Sequence, residues 1–230
     1  MVIAQANGGT KLFVDEADYQ FYVSMLRQMV RDRVLKVFAY CLMENELRLV
    51  VAPIRLSLSR IIQRLHGRHT ARMNDRQNRI GHLFRGRFRS LVFAEDELVE
   101  VVRSVHLWPV RVGLLRRPEL YPYSSHATYA EKSSSMADFL HTKQVLSSFQ
   151  GDQEAKKRAF VRYVELVALE PDNFGVDEIH PGIGAKEHNK EQLLLKAKLE
   201  DFKRPKKSSV KMLAERASLL LSISQDQLTG

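Results

Sequence analysis

Apolar and polar positions along this chain fall into blocks of changing period, and their order outlines an architecture. Residues 2–7 are a short mixed run that Gly8-Gly9 ends as a turn, and they read as a first strand. From 15 to about 33, Phe21, Tyr22, Met25, Leu26, Met29 and Val30 recur at helical spacing. Asp15, Glu16 and Asp18 occupy the first turn of that helix, where its dipole favours negative charge. Residues 34–43 and 46–52 read as two strands joined through Glu44-Asn45. Side chains alternate across a strand, so Glu46, Arg48 and Val50 share one face and Leu47, Leu49 and Val51 the other. The second set is a core face, whereas the first sets a carboxylate beside a guanidinium.

Pro53 ends the hairpin, and Ser57 or Ser59 is placed to cap a helix running to about residue 74 on a stripe of Leu58, Ile61, Ile62 and Leu65. Residues 81–94 alternate and predict a strand, with Phe84, Gly86, Phe88, Ser90 and Val92 on one face and Arg85, Arg87 and Arg89 on the other. A helix over 96–107 buries Leu98, Val101, Val102 and Val105, and Trp108-Pro109 is expected to stop it, because the residue before proline avoids the helical region. The fold class is therefore α+β. Residues 136–169 add a helical pair, 171–190 carry Pro, Gly, Asp and Asn without period, and 203–211 form a basic run. The expected division is a domain over 1–130, a helical extension over 131–170, a linker with the basic run over 171–207, and a partial helix-turn-helix-like segment over 208–230.

Charge adds the first functional information. The 230 residues carry a formal net charge of +9, with a sequence pI of about 9.7. That favours an anionic partner such as nucleic acid. Ten arginines stand against one acid, Asp75, between residues 55 and 89. Arg60, Arg64, Arg68, Arg72 and Arg76 recur every fourth residue on the second helix, where like charges repel unless something anionic meets them. Arg85, Arg87 and Arg89 at period two make a positive rail whose guanidinium forks suit phosphate oxygens. Cys41 is the single cysteine, so an internal disulfide is excluded and a buried apolar role in a reducing cytoplasm is expected. No apolar run approaches a membrane span, and residues 1–9 lack the cationic start and apolar block of a signal peptide.

Several segments together resemble the single-tyrosine HUH transposases, in the branch of the REP-associated tyrosine transposases. Residues 39–49 follow a pattern that usually continues M-x-N-H-x-H-L, matched here by Met43, Asn45 and Leu49. Residues 81–90 follow G-H-L-F-Q-G-R-F-K-S, and Pro109-Val110-Arg111 a P-V-R corner. Tyr121-Pro122-Tyr123-Ser124-Ser125 is similar to Y-P-W-S-S, read as a tie that closes the domain. The resemblance implies a ferredoxin-like HUH-endonuclease fold, an antiparallel sheet with helices on one face, and the element order above agrees with it. It further implies two histidines holding a divalent metal and a tyrosine that attacks DNA. Those positions are occupied here by Glu46, Arg48 and Ser104, and the family's asparagine by Trp108. Arginine offers no lone pair to a metal, so no cofactor is expected.

The economical expectation is a transposase relative that binds DNA, as a hairpin or single strand, without cleaving it. Arg64, Arg68, Arg72, Arg85, Arg87, Arg89 and Arg111 are the expected contacts, and a protein partner that supplies cleavage is compatible with this. A second reading is a working transposase or nickase with rearranged parts. In it Glu44, Glu46, Glu97 and Glu100 hold magnesium or manganese, His82 or His106 adds a ligand, and Tyr121 or Tyr123 attacks. A third, an RNA-binding or scaffold protein, fits the charge equally well.

Overall fold

The computed structural model describes residues 1–130 and 138–166. The expected linker over 171–207, its basic run and the segment over 208–230 lie outside the described residues. Four strands, β1 (Val2–Gln5), β2 (Leu35–Leu42), β3 (Glu46–Pro53) and β4 (Arg89–Ser90), form one sheet in the order β2-β3-β1-β4 with every pairing antiparallel. With α1 (Glu16–Arg31) between β1 and β2, and α2 (Leu58–Arg76) between β3 and β4, this is the ferredoxin-like arrangement. The α+β class is thus borne out.

Two cores lie on the two faces of the sheet. Val2, Ala4, Leu35, Val37, Leu42, Leu47 and Leu49 pack beneath α1 and α2. Met1, Ile3, Cys41, Met43 and Val50 face α3 (Leu98–Arg111) and the helices of the extension, α5 (Thr142–Leu146) and α6 (Gln153–Leu166). Helices therefore cover both faces: α1 and α2 lie together as expected, and α3 with the extension covers the opposite side. A bulge in β2 between Val37 and Ala39 puts Phe38 and Ala39 in the same core, after which alternation resumes with Tyr40 on the α1 side.

Local signals explain most element ends. The Asp15 side chain caps α1 through the Asp18 amide, and of the two candidate serines Ser57 caps α2. Two boundaries differ from expectation. Helix α3 runs through Pro109 to Arg111, because a proline this near the C-terminus forfeits only one turn of bonding, and the next turn closes with the Val112 amide on the Trp108 carbonyl. The strand expected over 81–94 shrinks to Arg89–Ser90. A single bridge pairs Ala6 with Phe84, and the ladder resumes at Ile3 and Arg89. Five residue steps on the outer strand thus oppose three on β1, and Gly86, at φ +68°, takes up the excess in the left-handed region.

The outer edge of β2 is covered by later chain. The Leu42 amide donates to the Tyr123 carbonyl at 3.0 Å, and the Ser125 amide to the Tyr40 carbonyl at 2.9 Å. The Tyr121 and Tyr129 hydroxyls donate to the Leu42 and Phe38 carbonyls, each at 2.7 Å. The His141 amide reaches the Val37 carbonyl at 2.8 Å. Tyr123 also stacks on Tyr19 of α1, centroids 3.5 Å apart, so the tie spans from the sheet edge to the helix layer. The α4 turn (His126–Tyr129) follows, with His126 Nδ1 3.3 Å from His106 Nδ1 and His106 Nε2 2.8 Å from the Ser125 hydroxyl.

Burial keeps several histidines neutral in this fold. It lowers His66 to about 3, lowers His69, and lowers His106 well below its ordinary value, where His126 adds to the effect. The unfolded chain takes up protons near pH 6.5 that the folded chain refuses, so stability falls as pH drops below that point. Each such histidine contributes up to about 1.4 kcal/mol per pH unit. The urea midpoint is expected to fall steadily from pH 6.5 to 4.5. His66→Phe, which keeps the stack on Phe84 (3.8 Å), is expected to flatten that slope by about one proton. A midpoint independent of pH across this range would contradict the neutral assignment.

Candidate functional site

Strand β3 delivers Glu46 and Arg48 to the α3 side of the sheet, and α3 delivers Ser104 and Trp108 one helical turn apart. Arg48 Nε donates to Glu46 Oε1 at 2.7 Å, while Glu46 Oε2 accepts from Gln5 Nε2 at 2.9 Å. The guanidinium carbon of Arg48 lies 3.1 Å from the centroid of the Trp108 ring. Arg48 is 1% exposed and Trp108 5%. Ser104 is buried and donates to the Val101 carbonyl at 2.8 Å, the local back-bond common for serine within a helix. Glu46 and Arg48 thus form a buried ion pair under the Trp108 indole, and Ser104 is buried separately on α3.

The residues present do not fit a divalent cation. Both Glu46 oxygens are engaged by donors and Arg48 is cationic. The other residues considered for a rearranged site are dispersed among different tasks. Glu44 pairs with Lys11 at 2.8 Å, Glu97 accepts from the Ala94 amide at 2.7 Å, and Glu100 pairs with Arg103 at 2.7 Å. His106 belongs to the Ser125–His126 cluster, and His82 is exposed. Tyr121 holds the β2 edge, and burial pushes its phenol well up. Burial likewise raises the Cys41 thiol, as suits a small apolar core residue. Among the described residues no group of three or more His, Cys, Asp or Glu side chains is placed to hold a metal ion.

The arginines separate into three sets. Arg72 and Arg76 are structural. Arg76 reaches both Asp15 and Asp18 at the start of α1, and holds the Asp15 carboxyl below its usual value. Arg72 lies 3.8 Å from Asp18 and 4.6 Å from the Phe21 centroid. Asp18 is fully buried, so these ion pairs fasten the C-terminal end of α2 to the N-terminal end of α1. Arg72 is half-buried and meets Asp18 and Phe21 within the fold. Arg64 and Arg68 are exposed on α2, and Arg68 lines a groove against α1.

Arg85, Arg87 and Arg89 form the third set and are all exposed. They do not make the straight rail that period two predicts, because the bulge at Gly86 breaks the strand between them. Arg89 pairs opposite Ile3 on the α3 side, whereas the Arg85 amide donates to the Gln5 carbonyl at 2.8 Å. Phe84 stacks on His66, which lies about 200° around α2 from Arg68. The β4 edge and the Arg64–Arg68 row therefore occupy opposite flanks of α2 and do not bound one groove. Arg111 is half-buried at the end of α3. Sequence reasoning missed the stack of Trp108 on Arg48 and the pair Arg27 and Arg31, although their four-residue spacing on α1 was visible.

Removing Glu46 alone leaves a guanidinium charge without its carboxylate in the interior. Glu46→Leu is expected to cost about 3–5 kcal/mol in urea denaturation, and the double change Glu46→Leu with Arg48→Met to recover most of it. Equal destabilisation by the single and double changes would argue against the ion pair as the organising contact.

No protein-family model matches the chain, and no curated protein matches it. Among solved structures, one described as "Structure of the REP associates tyrosine transposase bound to a REP hairpin" is similar at 15% sequence identity and a TM-score of 0.45. The alignment covers 59% of this chain and 80% of that one.

Proposed function

We propose that this protein binds nucleic acid, as DNA in hairpin or single-stranded form, on a transposase-derived scaffold that does not itself cleave the strand. The observation that carries this reading is a pairing of opposites: a buried Glu46–Arg48 pair under Trp108 with Ser104 buried on α3, and arginines standing exposed along the β4 edge. A strand-cleaving site needs an accessible nucleophile and a way to activate it. Ser104 is fully buried and committed to a backbone carbonyl. The β4 edge supports the binding half. Arg85, Arg87 and Arg89 offer charge-assisted donors to phosphates within a short stretch of chain, and Arg64 and Arg68 extend the positive field across α2. The net charge of +9 supports electrostatic attraction of a polyanion.

Incubation with labelled hairpin DNA and magnesium or manganese is expected to give neither nicks nor a denaturant-resistant protein–DNA band. A covalent band would overturn the non-cleaving reading, and mapping its residue would name the nucleophile.

Binding is expected to be salt-dependent and to rest on the β4 edge. Changing Arg85, Arg87 and Arg89 together to Ala should flatten the log–log salt slope by about two to three units, from roughly 0.7 per contact for single strands or 0.9 for duplex. The same titration with hairpin DNA, duplex DNA and RNA ranks the partners. Unchanged affinity in the triple variant would remove the β4 edge from the interface, and a clear preference for RNA would replace DNA as the partner.

A further inference from the structure

The helix layer holds a groove of about 330 Å³ between α1 and α2, on the flank of α2 away from the β4 edge. Its floor is Phe21 and Met25, and its rim carries Arg27 and Arg31 from α1 and Arg68 from α2. We propose that this groove is a phosphate-binding site, taking the phosphoryl group of a nucleotide or of a nucleic-acid strand end.

Three observations carry it. First, three guanidiniums converge here from two helices. The contacts that run from the end of α2 to the start of α1 show that the helices lie antiparallel, which brings Arg68 over the second half of α1. Secondly, two of the three guanidiniums, Arg31 and Arg68, make no ion pair among the described residues. Exposed Asp138 forms an ion pair with Arg27, 3.1 Å from its Nε, Asp32 accepts from Gln28 at 2.8 Å, and buried Asp18 is met by Arg72 and Arg76. Arg31 and Arg68 thus have no ion-pair partner among the described residues, and like charges one turn apart on α1 are unfavourable until an anion joins them. The dipole of α1 accounts for Arg31 in its last turn, but not for Arg68 on the facing helix. Thirdly, the shape suits one compact group. Phe21, which lines the groove, also carries the Arg72 guanidinium 4.6 Å from its ring centroid. Its volume lies at the small end of ligand pockets, too small for a folded partner. A phosphomonoester, with up to two charges and three acceptor oxygens, matches the donors available.

The site does not depend on the β4 edge, and the two are separable by experiment. The test uses the full chain and ten-residue oligothymidylate labelled at its 3′ end, with either a 5′-phosphate or a 5′-hydroxyl, read by fluorescence anisotropy. Calorimetry with adenosine monophosphate runs in parallel and needs no strand binding. The 5′-phosphate is expected to improve strand affinity about tenfold, as one charge-assisted contact set does. Arg31→Gln with Arg68→Gln should abolish that gain, and circular dichroism should be unchanged because both residues are exposed. Arg85→Ala with Arg87→Ala and Arg89→Ala should weaken both oligonucleotides and keep the ratio between them. Saturable binding of adenosine monophosphate that the Arg31 and Arg68 changes remove identifies a free nucleotide as a sufficient ligand. A tenfold strand effect without nucleotide binding identifies the strand end. Equal affinity for the two strands together with no nucleotide binding overturns the proposal, as does a phosphate preference that survives the loss of Arg31 and Arg68.

Discussion

A guanidinium charge at the centre of a sheet needs a counter-charge and a lid, and much of this fold follows from meeting both needs for Arg48. Glu46 supplies the carboxylate from the same strand, two residues away, with Gln5 of β1 holding its second oxygen. Trp108 supplies the lid, and an indole face in contact with a desolvated guanidinium is among the stronger cation–π arrangements. Placing that lid commits α3 to the sheet, so its residues from Leu98 to Pro109 are all buried. A helix buried on every side requires further cover. Helices α5 and α6 provide it through Val145, Leu146, Phe149 and Phe160, and Arg103, paired with Glu100, lies 5.8 Å from the Tyr163 ring centre of α6. The extension is in this sense the outermost layer of a structure built around one buried ion pair.

The same residue type performs opposite work in different parts of the chain. Arg72 and Arg76 lie on the row that includes Arg64 and Arg68, yet they meet Asp18 and Asp15 and become fasteners. A periodic row of cations is therefore divided by where acids on α1 happen to fall. The segregation leaves positive surface on both flanks of α2 and places the compensated charge at one end of the helix pair.

Much of the fold was legible because its signals were local. Alternation in β3 placed Leu47 and Leu49 on one face and Glu46, Arg48 and Val50 on the other, as observed, although only the leucine face was read as core. Asp15 and Ser57 marked helix starts, and the Tyr121–Ser125 tie emerged where the resemblance put it. What escaped was non-local or depended on backbone irregularity. Alternation over 81–94 is a genuine pattern, but a left-handed Gly86 and two extra residues against β1 dissolve the strand that it predicts. Pro109 reads as a stop, although the last turn of a buried helix tolerates it. The candidate site was half legible: Glu46 and Arg48 on one strand face were evident, while the closeness of Trp108 to Arg48 needed the pairing of α3 with the sheet.

The cover on the β2 edge has a bearing on how the protein behaves in a crowd. Sheet edges invite other chains to add strands, and proteins that leave them open tend to associate. Here residues 121–125 and 141 already take the hydrogen bonds that β2 would offer a newcomer. The opposite edge, β4, is two residues long, interrupted by a bulge and lined with arginines that repel a second copy of themselves. Among the described residues the sheet thus presents one edge already occupied and one electrostatically guarded. A polyanion that neutralised those arginines would remove the guard, so the approach of two molecules edge to edge would become a property of the bound state.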